Sequence, residues 1–311
     1  MEKYAFLFPG QGSQYPGMGK ELAANFAIVR QTFEEADDAL GSKLSGICFD
    51  GPESDLLLTE NTQPALLATS TAFFRLIKSE TGLQSSYFAG HSLGEYSALV
   101  AAGALDFAEA LRTVRARGGF MQDAVPFGTG AMAAILGAEP DAVAAVCAEA
   151  AQGEVVVPAN FNCPGQIVIS GHASAVNRVM EIAKNHGIRK VMLLPVSVPS
   201  HCSLMASAGD KLAAVLDTVS VQPLESPVIS NVEAKAYSAA ERVKELLVAQ
   251  ISSPVLWEAS VKEMAALGVT RVVEVGPGKV LSGLVKKIDK NLTQNNFDDL
   301  AGFNAFIGEV A

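Results

Sequence analysis

The chain reads Ser86-Tyr87-Phe88-Ala89-Gly90-His91-Ser92-Leu93-Gly94, and an apolar run suited to a helix, Glu95–Ala102, follows directly. The first four residues of this stretch have the aromatic and apolar content of a short strand. Glycines on both sides of Ser92 permit a strained strand-to-helix turn that exposes the serine hydroxyl. We therefore predict a strand, a tight turn and a helix in succession, with Ser92 as a candidate nucleophile. The backbone N–H of Leu93, at the start of the helix, is a candidate donor to a developing negative charge.

The same alternation of strands and helices continues on either side of this stretch. A buried strand over Tyr4–Phe8 runs into the turn-forming loop 9–14, and a helix is predicted to begin at Pro64, which suits a first helical position. The polar stretch from Asn291 is expected to be a weakly ordered tail. The other predicted segments are helices over 106–124, 241–250 and 280–287 and strands over 228–231 and 271–275.

A different pattern occupies the middle of the chain. Its segments are a strand at 131–136, a helix at 141–151, strands at 155–159 and 166–170, a helix at 174–185 and a strand at 189–194. This β-α-β-β-α-β order is typical of a ferredoxin-like unit. We therefore predict a small inserted subdomain, 128–196, between two segments of one α/β catalytic core, 1–127 and 197–311.

The composition narrows the function classes. The 311 residues are 49% hydrophobic and 18% charged, as in an ordinary globular enzyme, and the formal net charge is -10. That charge argues against nonspecific binding of nucleic acid or of an anionic membrane. The four cysteines show no metal-ligand spacing, and the sequence has neither a secretory leader nor a run of about 18 apolar residues. We expect a cytoplasmic monomer with free thiols that binds no nucleic acid and no membrane.

A serine nucleophile needs a base, and the chain has four histidines. Three of the histidines are less suitable as the base. His91 adjoins Ser92, but neighbouring side chains on a tight turn point apart. His172 follows a strand of the inserted subdomain, far along the chain from the turn, and His186 suits a capping role at a helix C-terminus. His201 lies where the chain re-enters the core, on a loop that can face the turn, and is the preferred base. No Asp or Glu between Ser92 and His201 has the position of a triad acid, so a backbone carbonyl is the alternative partner for His201.

An inward-facing arginine is the other chemical signal. At about 100° per residue, the helix over 106–124 directs Arg117 towards its apolar stripe, while Arg112 and Arg115 point away from it. A buried guanidinium requires an anionic partner, which is either a structural carboxylate or a bound ligand. The glycines of the loop 9–14 also suggest a nucleotide site, but the spacing disfavours one, because Tyr15 stands where the third glycine of G-x-G-x-x-G belongs and no P-loop motif occurs.

Several motifs in the chain, taken together, resemble those of the malonyl-coenzyme A to acyl-carrier-protein transacylases of fatty-acid synthesis. The similarity extends over nearly the whole chain. The motifs that carry it are Phe8-Pro9-Gly10-Gln11-Gly12-Ser13-Gln14, Asn61-Thr62-Gln63-Pro64-Ala65, Gly90-His91-Ser92-Leu93-Gly94-Glu95-Tyr96, Arg117-Gly118, Asn160-Phe161-Asn162, Pro199-Ser200-His201 and Glu274-Val275-Gly276-Pro277-Gly278.

The resemblance implies an α/β-hydrolase-like core with an inserted ferredoxin-like subdomain and an active site between the two. It implies that Ser92 forms the malonyl-enzyme and that His201 is the base. It further implies that Arg117 pairs with the malonyl carboxylate. The remaining implied roles are an oxyanion hole from the N–H groups of Gln11 and Leu93, a polar lining from Gln63, and a backbone carbonyl of Gln250 that orients His201.

The implied reaction has two half-reactions, with malonyl-coenzyme A as donor and the pantetheine thiol of acyl carrier protein as acceptor, and it needs no metal or separate cofactor. Three other functions remain as alternatives to this transfer. They are a polyketide acyltransferase with another extender unit, a serine esterase or thioesterase, and a carrier-binding module without activity. The carrier proteins of the implied pathway are acidic, so docking to a chain of net charge -10 requires local positive charge. Arg189 and Lys190 are candidates for that docking surface, and a solvated strand end is the alternative.

Overall fold

The computed structural model describes residues 2–196 and 198–310, in which two separate β-sheets are flanked by helices. The strands are β1 Tyr4–Phe8, β2 Tyr87–Gly90, β3 Gly130–Leu136, β4 Val156–Cys163, β5 Gln166–His172, β6 Lys190–Leu193, β7 Val228–Ile229, β8 Ala236–Tyr237, β9 Arg271–Glu274 and β10 Thr293–Asn296.

Helices pack against both sheets. They are α1 Lys20–Asn25, α2 Ala27–Leu40, α3 Leu44–Asp50, α4 Glu53–Leu56, α5 Thr59–Thr81, α6 Gly94–Ala101, α7 Phe107–Asp123, α8 Pro140–Ala151, α9 Ala173–Ile182, α10 Ala206–Thr218, α11 Arg242–Ser252, α12 Trp257–Ala266, α13 Val280–Ile288 and α14 Leu300–Val310. Two short 3₁₀ helices cover Ala183–His186 and Ser203–Met205.

The larger sheet has six strands in the order β10-β9-β1-β2-β7-β8. All neighbours are parallel except β7 and β8, which are antiparallel. Phe8 pairs with Gly90 and Leu7 with Glu274, so β1, β2 and β9 end at the same edge. The loops that follow parallel strands meet at this edge, which is where open α/β sheets bind ligands.

Strand β1 shows why this sheet lies inside the molecule. All five of its residues are buried, because a parallel strand is covered by helices on both faces. Phe6 and Phe8 pack on one face with Phe74 of α5 and with Phe88. Ala5 and Leu7 belong to the cluster on the other face, together with apolar residues of α12 and α13.

The smaller sheet is antiparallel and has the order β4-β5-β3-β6. Helices α8 and α9 cover one face, where alternate strand residues such as Ala133 and Ile169 join their apolar side chains. The opposite face presents Met132, Ala134 and Val168. The β3-α8-β4-β5-α9-β6 sequence confirms the predicted ferredoxin-like pattern.

Two expectations from the sequence are wrong. Helix α5 begins at Thr59 rather than at Pro64, which lies inside it. Proline lacks the N–H that would bond to the carbonyl of Glu60, but the preceding turn keeps the bonds from the N–H groups of Asn61 and Thr62 to the carbonyl of Leu58.

The second wrong expectation concerns the tail from Asn291. Strand β10 pairs with β9, and α14 packs through buried Phe303 and Phe306. Phe297, between the two elements, stacks on Phe73 with a ring-centroid distance of 5.3 Å. The burial of these aromatic side chains stabilises the segment despite its polar residues.

Candidate active site

The turn between β2 and α6 holds Ser92 in a strained conformation, with φ of 52°. Both flanking glycines are required by close backbone contacts. A Cβ on Gly90 would lie 1.9 Å from the carbonyl carbon of Gly94, and one on Gly94 would lie 2.0 Å from the carbonyl oxygen of Phe8. Left-handed backbone at a non-glycine residue persists where the surroundings enforce it, often at functional sites.

Asn231, just after β7, fixes the same turn from the neighbouring strand. Its Oδ1 accepts the backbone N–H of Ser92 at 2.7 Å, and its Nδ2 donates to the carbonyl of Gly90 at 2.6 Å. The side chain of Asn231 is buried. One amide therefore clamps both sides of the turn, which restricts the direction of the serine hydroxyl.

The hydroxyl of Ser92 lies within hydrogen-bond distance of His201, with Oγ and Nε2 separated by 2.8 Å. The other ring nitrogen, Nδ1, lies 2.8 Å from the backbone carbonyl of Gln250. Because a carbonyl can only accept, Nδ1 carries the proton and Nε2 is free to take one from Ser92. No carboxylate is needed to select this tautomer.

Burial and the positive charge of Arg117 lower the pKa of His201 to about 3, while the hydrogen bond to the carbonyl of Gln250 opposes the shift. The imidazole therefore stays neutral at neutral pH, the form in which it can accept a proton. His201 also has a left-handed backbone, with φ of 63°.

Two backbone N–H groups belong to residues of the loops at this edge of the larger sheet. Leu93 starts the turn into α6, and Gln11 lies on the loop after β1, so the parallel pairing of β1 and β2 brings both to one edge. Both residues line the same cleft as Ser92. In the described parts of the chain neither N–H has an internal acceptor. Two free donors near a nucleophile are suited to hold an oxyanion.

Arg117 projects from α7 into the interior and is only 1% exposed. Its Nη1 donates to Oε1 of Gln63 at 2.9 Å, and its Nη2 donates to Oε1 of Gln250 at 3.1 Å. The guanidinium carbon lies 5.6 Å from the centre of the Tyr96 ring. The Nε–H has no acceptor among residues 2–196 and 198–310. The hydrogen-bond partners of this buried cation are thus neutral, and the carboxylate of Glu95 acts on it without a direct ion pair.

Gln63 has a different position from the one expected. It does not line the cleft, because the inner face of α5 packs against α7 and directs the side chain towards Arg117 and Met121. The residue is fully buried. Its contact with the cleft is therefore indirect, through the guanidinium that it supports.

A cleft of about 250 Å³ joins these groups and lies between the two sheets. His91 lies beside it, with Nε2 2.8 Å from Oδ1 of Asn162 on β4. The loops that follow β1 and β2 border the cleft on the side of the larger sheet, and most of the lining is apolar. The smaller sheet contributes Met132, Ala134, Asn160, Asn162, Gln166 and Val168 to the lining, and the segment that follows it contributes Leu194, Val196, Val198, Ser200 and His201. The rest of the lining comes from the loops 10–13 and 91–93, from Arg117 and Met121 of α7, and from Val280, Leu281 and Leu284 of α13.

The remaining candidates lie outside this group. Arg189 and Lys190 are exposed at the start of β6, the outer strand of the smaller sheet. His172 accepts the backbone N–H of Val155, and His186 lies 2.8 Å from Glu149 on the surface.

The described part of the chain contains no cluster of three or more His, Cys, Asp or Glu side chains suited to a metal ion. Within the same residues, every helix is too short or too polar to cross a membrane. All four cysteines are buried and unpaired.

Sequence reasoning missed the supporting residues of the site. The sequence pattern places Asn231 only at the end of a predicted strand and gives Glu95 no role in the site. The structure buries Glu95 completely, with its Oε2 2.7 Å from Nε2 of Gln250. A usable signal was the charged Glu95 on an otherwise apolar helix, since a carboxylate on a buried face needs partners.

Comparison with known proteins agrees with this geometry. Residues 5–301 match the model of the acyl transferase domain family. The chain is 50% identical over 299 residues to the malonyl CoA-acyl carrier protein transacylase of Escherichia coli strain K12, covering 96% of this chain and 97% of that protein.

Solved structures are similarly close. The acyl carrier protein S-malonyltransferase of Vibrio cholerae O1 biovar El Tor is 49% identical, with a TM-score of 0.95 over 98% of this chain and 100% of that one. A malonyl-transacylase solved with its holo type II polyketide acyl carrier protein is 45% identical, with a TM-score of 0.97 over 99% and 100% of the chains. The α/β-hydrolase-like core with a ferredoxin-like subdomain is therefore confirmed, and the chain belongs to the acyl transferase family, among the malonyl-CoA:acyl-carrier-protein transacylases.

Proposed function

We propose that this chain transfers a malonyl group from coenzyme A to acyl carrier protein through an ester on Ser92. The observation that carries the assignment of roles is the chain of contacts from Ser92 Oγ to His201 Nε2, and from His201 Nδ1 to the carbonyl of Gln250, beside the buried Arg117. A nucleophile, a base with a fixed tautomer and an anion binder thus share one cleft.

In the first half-reaction, Ser92 Oγ attacks the thioester carbonyl and His201 Nε2 takes the hydroxyl proton. The N–H groups of Gln11 and Leu93 stabilise the oxyanion of the tetrahedral intermediate. The intermediate collapses as the carbon–sulfur bond breaks, and His201 returns the proton to the coenzyme A sulfur. The product is malonyl-Ser92 with free coenzyme A.

In the second half-reaction, the carrier thiol enters the cleft that coenzyme A has left, gives its proton to His201 and attacks the ester. Collapse of the second intermediate returns the proton to Ser92 Oγ and releases the malonyl thioester. The two substrates supply the acyl group and the acceptor thiol, so the proposed steps call for no metal and no separate cofactor. The mostly apolar cleft wall disfavours water, the competing nucleophile.

Arg117 is proposed to bind the malonyl carboxylate. Arg117 lines the cleft with Ser92, and its Nη1 and Nη2 are held by the neutral side chains of Gln63 and Gln250. The bound carboxylate would also offset the positive charge that lowers the pKa of His201. The correct substrate thereby makes the base stronger, an effect that an acetyl group cannot supply.

We also infer the domain division from this arrangement: a catalytic core of 1–127 and 197–311 and an inserted subdomain of 128–196. The smaller sheet is built wholly from strands between Gly130 and Leu193, which supports the division. The boundary positions 1, 197 and 311 lie outside the described residues.

Replacement of Arg117 by alanine is expected to lower the preference for malonyl-coenzyme A over acetyl-coenzyme A by about 10 to 150-fold. The reason is that charged hydrogen bonds to a carboxylate contribute about 1.5 to 3 kcal/mol. The measurement is the rate of acyl-enzyme formation with malonyl-, methylmalonyl- and acetyl-coenzyme A, followed by intact mass. Equal losses for all three acyl groups in a folded variant would show that Arg117 supports the structure instead.

Arg189 and Lys190 are proposed as part of the surface that docks the acidic carrier. Both are exposed, and β6 runs from Lys190 towards Leu194, which lines the cleft roughly 13 Å further along the strand. Positive charge at the approach to the cleft would offset the repulsion between the carrier and a protein of net charge -10.

Reversal of both charges, Arg189→Glu with Lys190→Glu, should slow malonyl transfer to holo acyl carrier protein and leave acylation by malonyl-coenzyme A nearly unchanged. The effect should weaken as salt is added, because screening shortens the range of the charges. The transfer is measured with a fatty-acid carrier protein and, separately, with a polyketide carrier protein as the acceptor. The matched control is Lys211→Glu with Lys262→Glu, two exposed lysines that do not line the cleft. If both double variants behave alike at low salt, the carrier docks elsewhere.

A further inference from the structure

Glu95 is a buried carboxylate one helical turn from the nucleophile that takes no part in the transfer steps above. It follows Gly94 on α6 and is completely buried. Its Oε2 accepts Nε2 of Gln250 at 2.7 Å and the backbone N–H of Asn231 at 3.2 Å, while its Oε1 has no partner in the described residues. A buried carboxylate is unfavourable unless it is compensated, so its partners indicate its role.

The contacts of Gln250 define which way its side-chain amide points. The carboxylate of Glu95 and the backbone carbonyl of Ser92 both accept from Nε2, at 2.7 and 2.9 Å. An ionised carboxylate and a carbonyl can only accept, so the NH₂ end must face them. Oε1 then necessarily faces Arg117, whose Nη2 donates to it at 3.1 Å.

The same residue also serves the base, since the backbone carbonyl of Gln250 holds Nδ1 of His201. The side chain and the main chain of Gln250 therefore reach two different parts of the site. Disturbing only the side-chain amide should affect the guanidinium of Arg117 more than the imidazole. The rate of acylation of Ser92 should then fall more for acyl groups with a carboxylate than for acyl groups without one.

We propose that Glu95 is a positioning residue for carboxylate-bearing acyl groups: it orients the amide of Gln250, which holds Arg117 in the geometry that receives the substrate carboxylate. Its negative charge also compensates the buried guanidinium before substrate arrives. This inference rests on the proposed role of Arg117. A glutamine at position 95 would remove the charge and could also donate, which would allow the amide of Gln250 to turn its NH₂ group towards Arg117.

The charge state of Glu95 determines the conditions of the test. Burial raises the pKa of its carboxyl to about 7, against the opposing effects of Gln250, the N–H of Asn231 and the positive charge of Arg117. Measurements at about pH 8.5 therefore compare an ionised Glu95 with its neutral replacement.

The experiment measures single-turnover acylation of Ser92 by malonyl-coenzyme A and by acetyl-coenzyme A in the Glu95→Gln variant. The ratio of the malonyl rate to the acetyl rate should fall by about 3 to 10-fold, the range expected for losing one well-oriented hydrogen bond. A purely structural role would lower both rates by the same factor. An unchanged ratio, or equal losses, would overturn the proposal.

Gln250→Met provides the second variant, because it keeps the backbone carbonyl that holds His201 and removes only the amide. It should reproduce the fall in the ratio, and adding Glu95→Gln to it should cause no further fall. It also tests the proposal if Glu95→Gln does not fold, since an unchanged ratio in Gln250→Met would contradict the proposed positioning of Arg117 by Gln250.

Arg117→Ala in the same series separates the two hypotheses. If the malonyl-to-acetyl ratio falls in Arg117→Ala but is unchanged in Glu95→Gln, the positioning role of Glu95 is refuted, and the carboxylate-binding role of Arg117 stands. An unchanged ratio in both refutes the carboxylate-binding role of Arg117 as well.

Discussion

Ser92→Ala is expected to abolish the gain of one malonyl mass when the protein is mixed with malonyl-coenzyme A. The variant keeps the backbone N–H groups of Gln11 and Leu93 but lacks the only atom proposed to form the ester. Alanine has no γ oxygen, so binding of the thioester can continue while the covalent step cannot. Intact mass spectrometry before and after incubation measures the result.

Ser13→Ala is the matched control, because Ser13 also places a serine in the cleft. That variant should acquire one malonyl group as the unaltered protein does. Persistent acylation of Ser92→Ala, with Ser13→Ala unaffected, would assign the nucleophile to another residue.

His201→Ala should slow formation of the acyl-enzyme by roughly 100 to 10,000-fold, the usual effect of removing a general base. The loss follows from the 2.8 Å contact between Ser92 Oγ and His201 Nε2, because no other histidine nitrogen is bonded to the hydroxyl in the described residues. Rapid-quench measurement of the first turnover reports this step without the carrier. The variant should remain folded, which circular dichroism checks.

His186→Ala serves as the comparison, since His186 lies on the surface beside Glu149 and outside the cleft. Its rate should match that of the unaltered protein. A near-normal rate in His201→Ala would leave the histidine with a structural role and would require another base for Ser92.

Much of the fold follows from local patterns in the sequence. The glycines around Ser92 predict the turn because the backbone contacts at Gly90 and Gly94 exclude any side chain. The inserted subdomain is predictable because strand and helix lengths alternate in a recognised order. The inward direction of Arg117 follows from helical periodicity, and its burial agrees with that expectation.

The parts that could not be predicted depend on contacts between distant segments. Asn231 bonds to Ser92 across 139 positions, and Gln250 bonds to Glu95 across 155. No local pattern reports such a contact. The segment around β10 and α14 differs from its expectation for a related reason: its polar residues predict a weakly ordered tail, whereas burial of Phe297, Phe303 and Phe306 against the core decides its structure.

A chase of the isolated acyl-enzyme tests the two-step transfer through Ser92. The protein is acylated with malonyl-coenzyme A and then separated from free coenzyme A. One portion is digested to locate the added group. The remainder is mixed, undigested, with holo acyl carrier protein in a single turnover. We expect malonyl on the peptide that contains Ser92, and its loss from the protein at the same rate as malonyl-carrier appears. Malonyl on a different peptide, or release as free malonate without malonyl-carrier, would contradict it.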